Sequence, residues 1–260
     1  MVIPQISNEY MCNPAVQVLV LGTVAVMVDA VPVPVSRLER TLVAALACAP
    51  GRMVSTERLV DMLWPHRPPS WARTRVQAIV SSLRKRLAVA GGDPAAITTE
   101  DGGYALCVDA GHVDAERFRE LSLRSRATAD AGDPTTAAEL AREALALWRG
   151  PAFDGLRCTA LEAEAVYLEE LRLAVLEDRI DADLHAGRHA QLVPELASFR
   201  VRHPGRERLA GQLMVALDAV DRHAEALAVY RALQRHLREE YGTNPGLRIQ
   251  QIHASLLRAQ

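Results

Sequence analysis

The chain has 260 residues, 49% of them apolar and only 4% aromatic, and its thirty basic side chains are outnumbered slightly by thirty-two acidic ones. That is enough for two ordinary domains of roughly 100–150 residues each. Four cysteines, Cys12, Cys48, Cys107 and Cys158, lie far apart with no histidine at zinc-ligand spacing, which excludes a disulfide scaffold or a zinc knuckle and predicts free thiols in a reducing cytoplasm.

Residues 1–15 lack the basic and apolar regions of a secretory signal and are expected to be a disordered N-terminus. The Val-rich run that follows contains Asp29, Pro32 and Pro34. Its uncharged part falls well short of the ~20 apolar residues that span a bilayer, so no membrane segment or membrane partner is expected. β-branched residues broken at Gly22 and at Asp29-Ala30 predict a small antiparallel sheet instead. From Arg37 the hydrophobic period becomes helical. "RLERTLVAALACA" stops at Pro50-Gly51, "STERLVDMLW" opens with Ser55 as N-cap and halts at Pro65, and "SWARTRVQAIVSSLRKRLAVA" runs from Pro68-Pro69 to Gly91-Gly92. "AITTEDGGYALCV" then reads as a hairpin turning at Asp101-Gly102-Gly103.

Beyond residue 113 the β-prone runs cease and amphipathic helices alternate with short turns. Arg188-His189-Ala190 recurs 34 residues later as Arg222-His223-Ala224, which is the tetratricopeptide period. The expected fold is therefore α+β in an N-terminal winged helix-turn-helix over residues 16–113, followed by an all-α, tetratricopeptide-like helical repeat domain over 114–260. Residues 1–113 are expected to hold a core of their own.

The third helix is unusual in its charge. From Met62 to Gly92 there is no carboxylate, while Arg67, Arg73, Arg75, Arg84, Arg86 and the chain's sole lysine, Lys85, all fall there. Residues 16–113 carry ten basic against eight acidic side chains, and residues 114–260 carry twenty against twenty-three. On an ideal helix Val76, Ile79, Val80, Leu83 and Leu87 share an arc of roughly 100°, the width of a core-facing stripe. The opposite side holds Thr74, Ala78, Ser81 and Lys85, flanked by Arg75, Gln77, Ser82 and Arg84. Short side chains there let a backbone come close, and Arg, Lys and Gln can reach base edges and phosphates. A basic face alone is more often just solvated. Between a preceding helix and a following hairpin, the exclusion of carboxylates gains a reason, because they would repel phosphate.

"LVLGTVAVMV", "MVSTERLVDMLWP", "RTRVQAIVSSLRKRLA", "ITTEDGGYAL", "VDAERFREL", "ALALWRGPAF" and "LVPELASFRVRHPGRERLAGQLMVALDAVDRHAEALAVYRALQRHLREEYGTNPG" occur in that order. Together they resemble the Streptomyces antibiotic regulatory protein family, an OmpR-type winged helix joined to a bacterial transcriptional activator domain. The resemblance covers essentially everything after residue 15. It implies a pathway-specific activator of antibiotic or other secondary-metabolite genes that binds direct repeats in double-stranded DNA as a side-by-side homodimer and recruits RNA polymerase holoenzyme. By motif position it implies a DNA-contacting helix over Trp71–Leu87 with Arg73, Thr74, Arg75, Gln77, Ser81, Arg84 and Lys85 as contacts. It places the wing at Thr98–Tyr104, with Thr98, Thr99 and Gly103 at the DNA. Arg75 and Ser82 depart from the commoner Thr and Arg, and Ala30 stands where a glycine is usual.

No enzyme is expected, and no cofactor or metal. His185 and His189 have metal-like spacing but lack the glutamate of H-E-x-x-H and enclose Gly187 at a turn. A phosphate-binding loop needs a lysine followed by Ser or Thr, and Lys85 is followed by Arg86. The carboxylates of "EAEAVYLEELRLAVLEDRIDAD" interleave with arginines and are expected on a solvated helix face. The competing reading is a helical-repeat adaptor whose winged helix binds protein instead of DNA.

Overall fold

The structure is a computed structural model, and it describes residues 16–65 and 67–258. The expectation for residues 1–15, and with it Cys12, lies outside the described residues. Two three-stranded antiparallel sheets flank three helices. The first sheet runs β1 (Val16–Leu19), β2 (Ala25–Val28), β3 (Val31–Val33), in that spatial order. Alternation buries Val16, Val18, Val26 and Val28 on one face, as the period of two requires.

The β2–β3 turn has Asp29 at φ 48° and Ala30 at φ 64°. Such left-handed turns match strand twist but favour glycine at the second position. An alanine there costs about 1–2 kcal/mol in steric strain. Ala30→Gly is accordingly expected to stabilise the chain by about 0.5–1 kcal/mol after the glycine's extra unfolded-state entropy is subtracted. A higher urea midpoint with an unchanged slope would show this, and an unchanged or lower midpoint would count against it.

Next come α1 (Arg37–Ala47), β4 (Val54–Ser55), α2 (Thr56–Leu63) and α3 (Ala72–Val89), then β5 (Ile97–Glu100) and β6 (Gly103–Leu106). Ser36 caps α1 and closes a capping box with Glu39, and Ser55 caps α2 by accepting from Arg58 N–H at 3.2 Å. The hairpin is present as expected, but it is part of a three-stranded sheet ordered β4-β6-β5. All five residues of the α3 stripe are buried against this scaffold. An N-terminal winged helix followed by a helical domain is thus the fold.

The remainder is helical: α4 (Asp114–Asp130), α5 (Pro134–Ala146), α6 (Thr159–His185), α7 (His189–Arg202), α8 (Glu207–Asp218), α9 (His223–Tyr241) and α10 (Leu247–Arg258). The 34-residue repeat seen in the sequence is structural. Arg188 and Arg222 are the N-cap residues of α7 and α9. Gly187 at φ 77° and Asp221 at φ 59° make the same left-handed turn before them.

The α6 carboxylates do not share one solvated face: Glu162 and Glu170 are exposed, but others are not. Glu177, Arg179 and Asp183 are buried, and Asp183 accepts from Arg142, Arg179 and Arg188. Burial by itself would raise the Asp183 carboxyl, but the Arg188 and Arg179 hydrogen bonds and the nearby cationic charges outweigh it and hold the group below its ordinary range. Arginines from separate helices replace the water these charges lose.

The chain divides into two compact units whose boundaries fall inside α4, α5 and α6. One includes the winged helix through Ser122 together with Glu143–Arg172, and the other comprises Leu123–Arg142 and Leu173 onward. Residues 114–122 and 143–172 thus share a compact unit with the winged helix. The buried Asp114 carboxylate accepts from Val20 N–H at 2.7 Å and Leu21 N–H at 3.0 Å. Arg149 N–H donates to Leu21 C=O and Phe153 N–H to Val20 C=O, both at 2.8 Å. Residues from the helical region thus satisfy the chain where it leaves β1. Among the described residues, no helix is long and apolar enough to cross a membrane.

Candidate nucleic-acid interface

Three sets of hydrogen bonds hold the α3 helix and the wing in place. The first is centred on Glu39 of α1, which is buried and receives Ser36 N–H at 2.6 Å, Ser82 Oγ–H at 2.8 Å and Arg86 Nε–H at 3.2 Å. Burial alone would push this carboxyl up. The Ser36 amide, the Ser82 and Ser36 hydroxyls and the Arg86 charge outweigh burial and keep it below the ordinary carboxylate range. Arg86 also donates to Pro34 C=O at 3.0 Å, so this cation is anchored to the α1 side.

The second set joins α3 to the wing. Arg84 donates through Nε to Ile97 C=O and through Nη2 to Thr99 Oγ, both at 2.8 Å. The third ties the wing turn to α2, through Thr56 N–H and Gly102 C=O at 2.9 Å. Helix, wing and α2 are consequently held together by directed bonds in addition to core packing.

The exposed face of α3 carries Arg73, Thr74, Arg75, Gln77, Ala78, Ser81 and Lys85. Arg73 forms an ion pair with Glu57 at 2.8 Å, but both side chains are largely in water, where such a pair is worth little and separates readily. The Arg75 and Lys85 side chains make no hydrogen bond or ion pair among the described residues. Beside them runs a groove of about 480 Å³ lined by Gln77, Ser81, Arg84, Lys85, Thr99 and Tyr104, among others.

The expected wing contacts divide. Thr99 is exposed and next to Arg84, so it belongs to this face. Thr98 is half-buried with its hydroxyl 3.4 Å from Cys107 Sγ. Gly103 does not reach the surface: a Cβ there would stand 2.3 Å from Val54 C=O and 2.5 Å from Met53 Sδ. Close pairing of β6 with β4 explains this glycine, and its placement at the DNA is corrected. The exposed tip is Glu100, Asp101 and Gly102, and its two carboxylates disfavour close approach to phosphate.

The structural role of Glu39 is absent from the sequence reading, although Ser36-x-x-Glu39 has the spacing of a capping box. The exposed Trp71, at 56%, stands at the N-cap position of α3 without a side-chain capping bond and meets Trp64 edge-on at 5.9 Å.

A family of bacterial transcriptional activator domains matches residues 113–257, and the C-terminal domain family of transcriptional regulatory proteins matches residues 30–106. The regulatory protein DnrI of Streptomyces peucetius is 36% identical over 233 residues, spanning 87% of this chain and 86% of DnrI. This chain belongs to the Streptomyces antibiotic regulatory protein family. The regulatory protein AfsR of Streptomyces coelicolor is 39% identical over 222 residues, covering 85% of this family member but only 22% of AfsR. The solved structure of Mycobacterium tuberculosis EmbR in complex with a low-affinity phosphopeptide superposes with a TM-score of 0.90 at 31% identity. It covers 95% of this chain and 66% of EmbR.

Proposed function

We propose that this family member is a transcriptional activator that reads direct repeats in double-stranded DNA through α3, as a homodimer on the DNA, and recruits RNA polymerase to secondary-metabolite promoters. The observation that carries this reading is the exposed face of α3. It combines Arg75 and Lys85, which have no hydrogen bond or ion pair among the described residues, with short Thr74, Ala78 and Ser81, opposite a fully buried apolar stripe. Short residues admit the duplex, cations neutralise phosphate, and Arg and Gln have the geometry to read guanine and adenine edges in the major groove. Arg84 has donors left after holding Ile97 and Thr99 and completes the edge nearest the wing. The names of DnrI and AfsR as regulatory proteins support the same direction.

Side-by-side binding has a geometric consequence. Two copies on one face of the duplex need half-sites separated by about one helical turn, ~10.5 base pairs centre to centre. On a duplex selected from a random pool by the full chain, inserting half a turn between repeats is expected to abolish paired binding in a gel-shift titration. Unchanged paired binding would overturn the tandem arrangement.

A further inference from the structure

A large aromatic side chain stands in water at the head of α3. Trp71 is exposed, whereas Ala72 beside it is buried. The Trp71 C=O already accepts from Arg75 N–H at 2.9 Å, the spacing of a helical turn, so Trp71 is in register with the helix it precedes. Seven residues, or nearly two turns, separate it from Ala78, which puts it within about 20° of the middle of the row Thr74, Ala78, Ser81 and Lys85. The indole thus belongs to the cationic face, with Arg73 and Arg75 next to it. Arg84 ties the other end of α3 to the wing, so Trp71 marks the end of this face far from the wing.

The ring is held in place. Trp64, at the end of α2, meets it edge-on with centroids 5.9 Å apart and planes at 88°. Pro68 and Pro69 lead into the helix, and Ala72 N–H donates to Pro69 C=O at 2.9 Å. A large side chain fixed in this way loses little conformational entropy when it is covered. The surrounding charge selects what covers it. No carboxylate stands in the sequence from Met62 to Gly92, and Glu57 of α2, the acid that reaches this end, is paired with Arg73. Such surroundings suit a polyanion. On a duplex, the residues at the N-terminal end of a major-groove helix are those that reach base edges. The apolar group displayed there is the 5-methyl of thymine.

We propose that Trp71 reads thymine, its indole packing on the 5-methyl group of one thymine in each half-site at the end far from the wing. This rests on the reading of α3 as the DNA-reading helix and adds a base preference to it, because the other bases present no methyl in the groove.

The full chain is titrated with a duplex it selects from a random pool, and with versions in which each thymine in turn is replaced by 2′-deoxyuridine. That replacement removes the methyl and keeps the base pairing. At one thymine per half-site it is expected to weaken the unmodified chain about three- to five-fold, the effect of a single buried methyl. Trp71→Ala is expected to bind the selected duplex about ten-fold more weakly and to be indifferent to that same replacement. A side chain that only propped α3 would weaken both duplexes alike and leave their ratio unchanged, which would overturn the proposal. A W71A chain that binds every duplex as the unmodified chain does would also overturn it and leave the indole to a protein partner. A measurement on the unmodified chain covers the case of a W71A chain that does not fold: 5-iodo-2′-deoxyuridine at the sensitive thymine is expected to photocrosslink to Trp71. Crosslinks to other residues alone, or no sensitive thymine, would contradict the assignment. The Arg75→Ala/Lys85→Ala variant separates the two readings. If it loses affinity while no thymine is sensitive, only the role of Trp71 fails; if it loses none, α3 is not the DNA-reading helix and both fail.

Discussion

A chain ended after Val113 is expected to be severely destabilised, although every strand and helix of the winged helix is still encoded in it. The cut removes the Asp114 carboxylate from Val20 and Leu21 N–H, and the Arg149, Phe153 and Asp154 amides from Leu21, Val20 and Gly22 C=O. It also takes Phe118, Trp148 and Phe153 out of the same compact unit, in which Phe118 and Trp148 meet edge-on at 5.4 Å. Each buried backbone group that loses its partner costs about 1–3 kcal/mol, less where water can reach it. Several such losses together with lost apolar burial are comparable to a whole domain's stability of roughly 5–15 kcal/mol. Asp114→Ala in the full chain isolates the polar part. Two buried N–H groups and Arg149 lose their acceptor, for an expected loss of about 2–4 kcal/mol by urea unfolding. A fragment ending after Arg172, which keeps the Arg149–Asp154 segment, is expected to retain the winged helix's cooperative transition. If the 113-residue fragment unfolds cooperatively at the full chain's midpoint, these contacts are dispensable.

The elements legible in the sequence were those whose signal is periodic and local. Val76, Ile79, Val80, Leu83 and Leu87 marked the α3 stripe because a helix repeats every 3.6 residues, and Asp101-Gly102 marked the hairpin because Gly102 must turn with φ 85°. What escaped depends on partners distant in the chain. Strand β4 has two residues and no pattern to read; it exists because Gly103 lets β6 approach Val54. Arg84 and Arg86 look like Arg75 and Lys85 in a helical wheel. Only the positions of Glu39, Pro34, Ile97 and Thr99 reveal that the first two are engaged internally. Glu177 and Asp183 read as surface charges because their arginines come from other helices or turns, Arg206 at one and Arg142 and Arg188 at the other.

That division among the cations gives the second expectation. Arg75→Ala and Lys85→Ala remove charges with no partner among the described residues, so they are expected to reduce DNA binding with little change in stability. A side chain on phosphate should weaken binding to all sequences and lower the slope of log K against log salt by about one; a side chain on a base edge should cost ~1–3 kcal/mol on the selected site alone. Arg84→Ala differs in kind. It breaks the link from α3 to Ile97 and Thr99, so both the unfolding midpoint and the affinity are expected to fall. Arg86→Ala is expected to lower stability through Glu39, with little direct effect on DNA.

The most direct measurement is the salt dependence of binding to a duplex selected by the full chain, with the unmodified protein and the Arg75→Ala/Lys85→Ala double variant titrated side by side. Expected are saturable binding that weakens steeply with salt, and a double variant that binds at least about ten-fold more weakly with a slope smaller by about one to two. Failure to enrich any duplex, or a double variant with unaltered affinity and slope, would contradict the assignment of α3 as the DNA-reading helix.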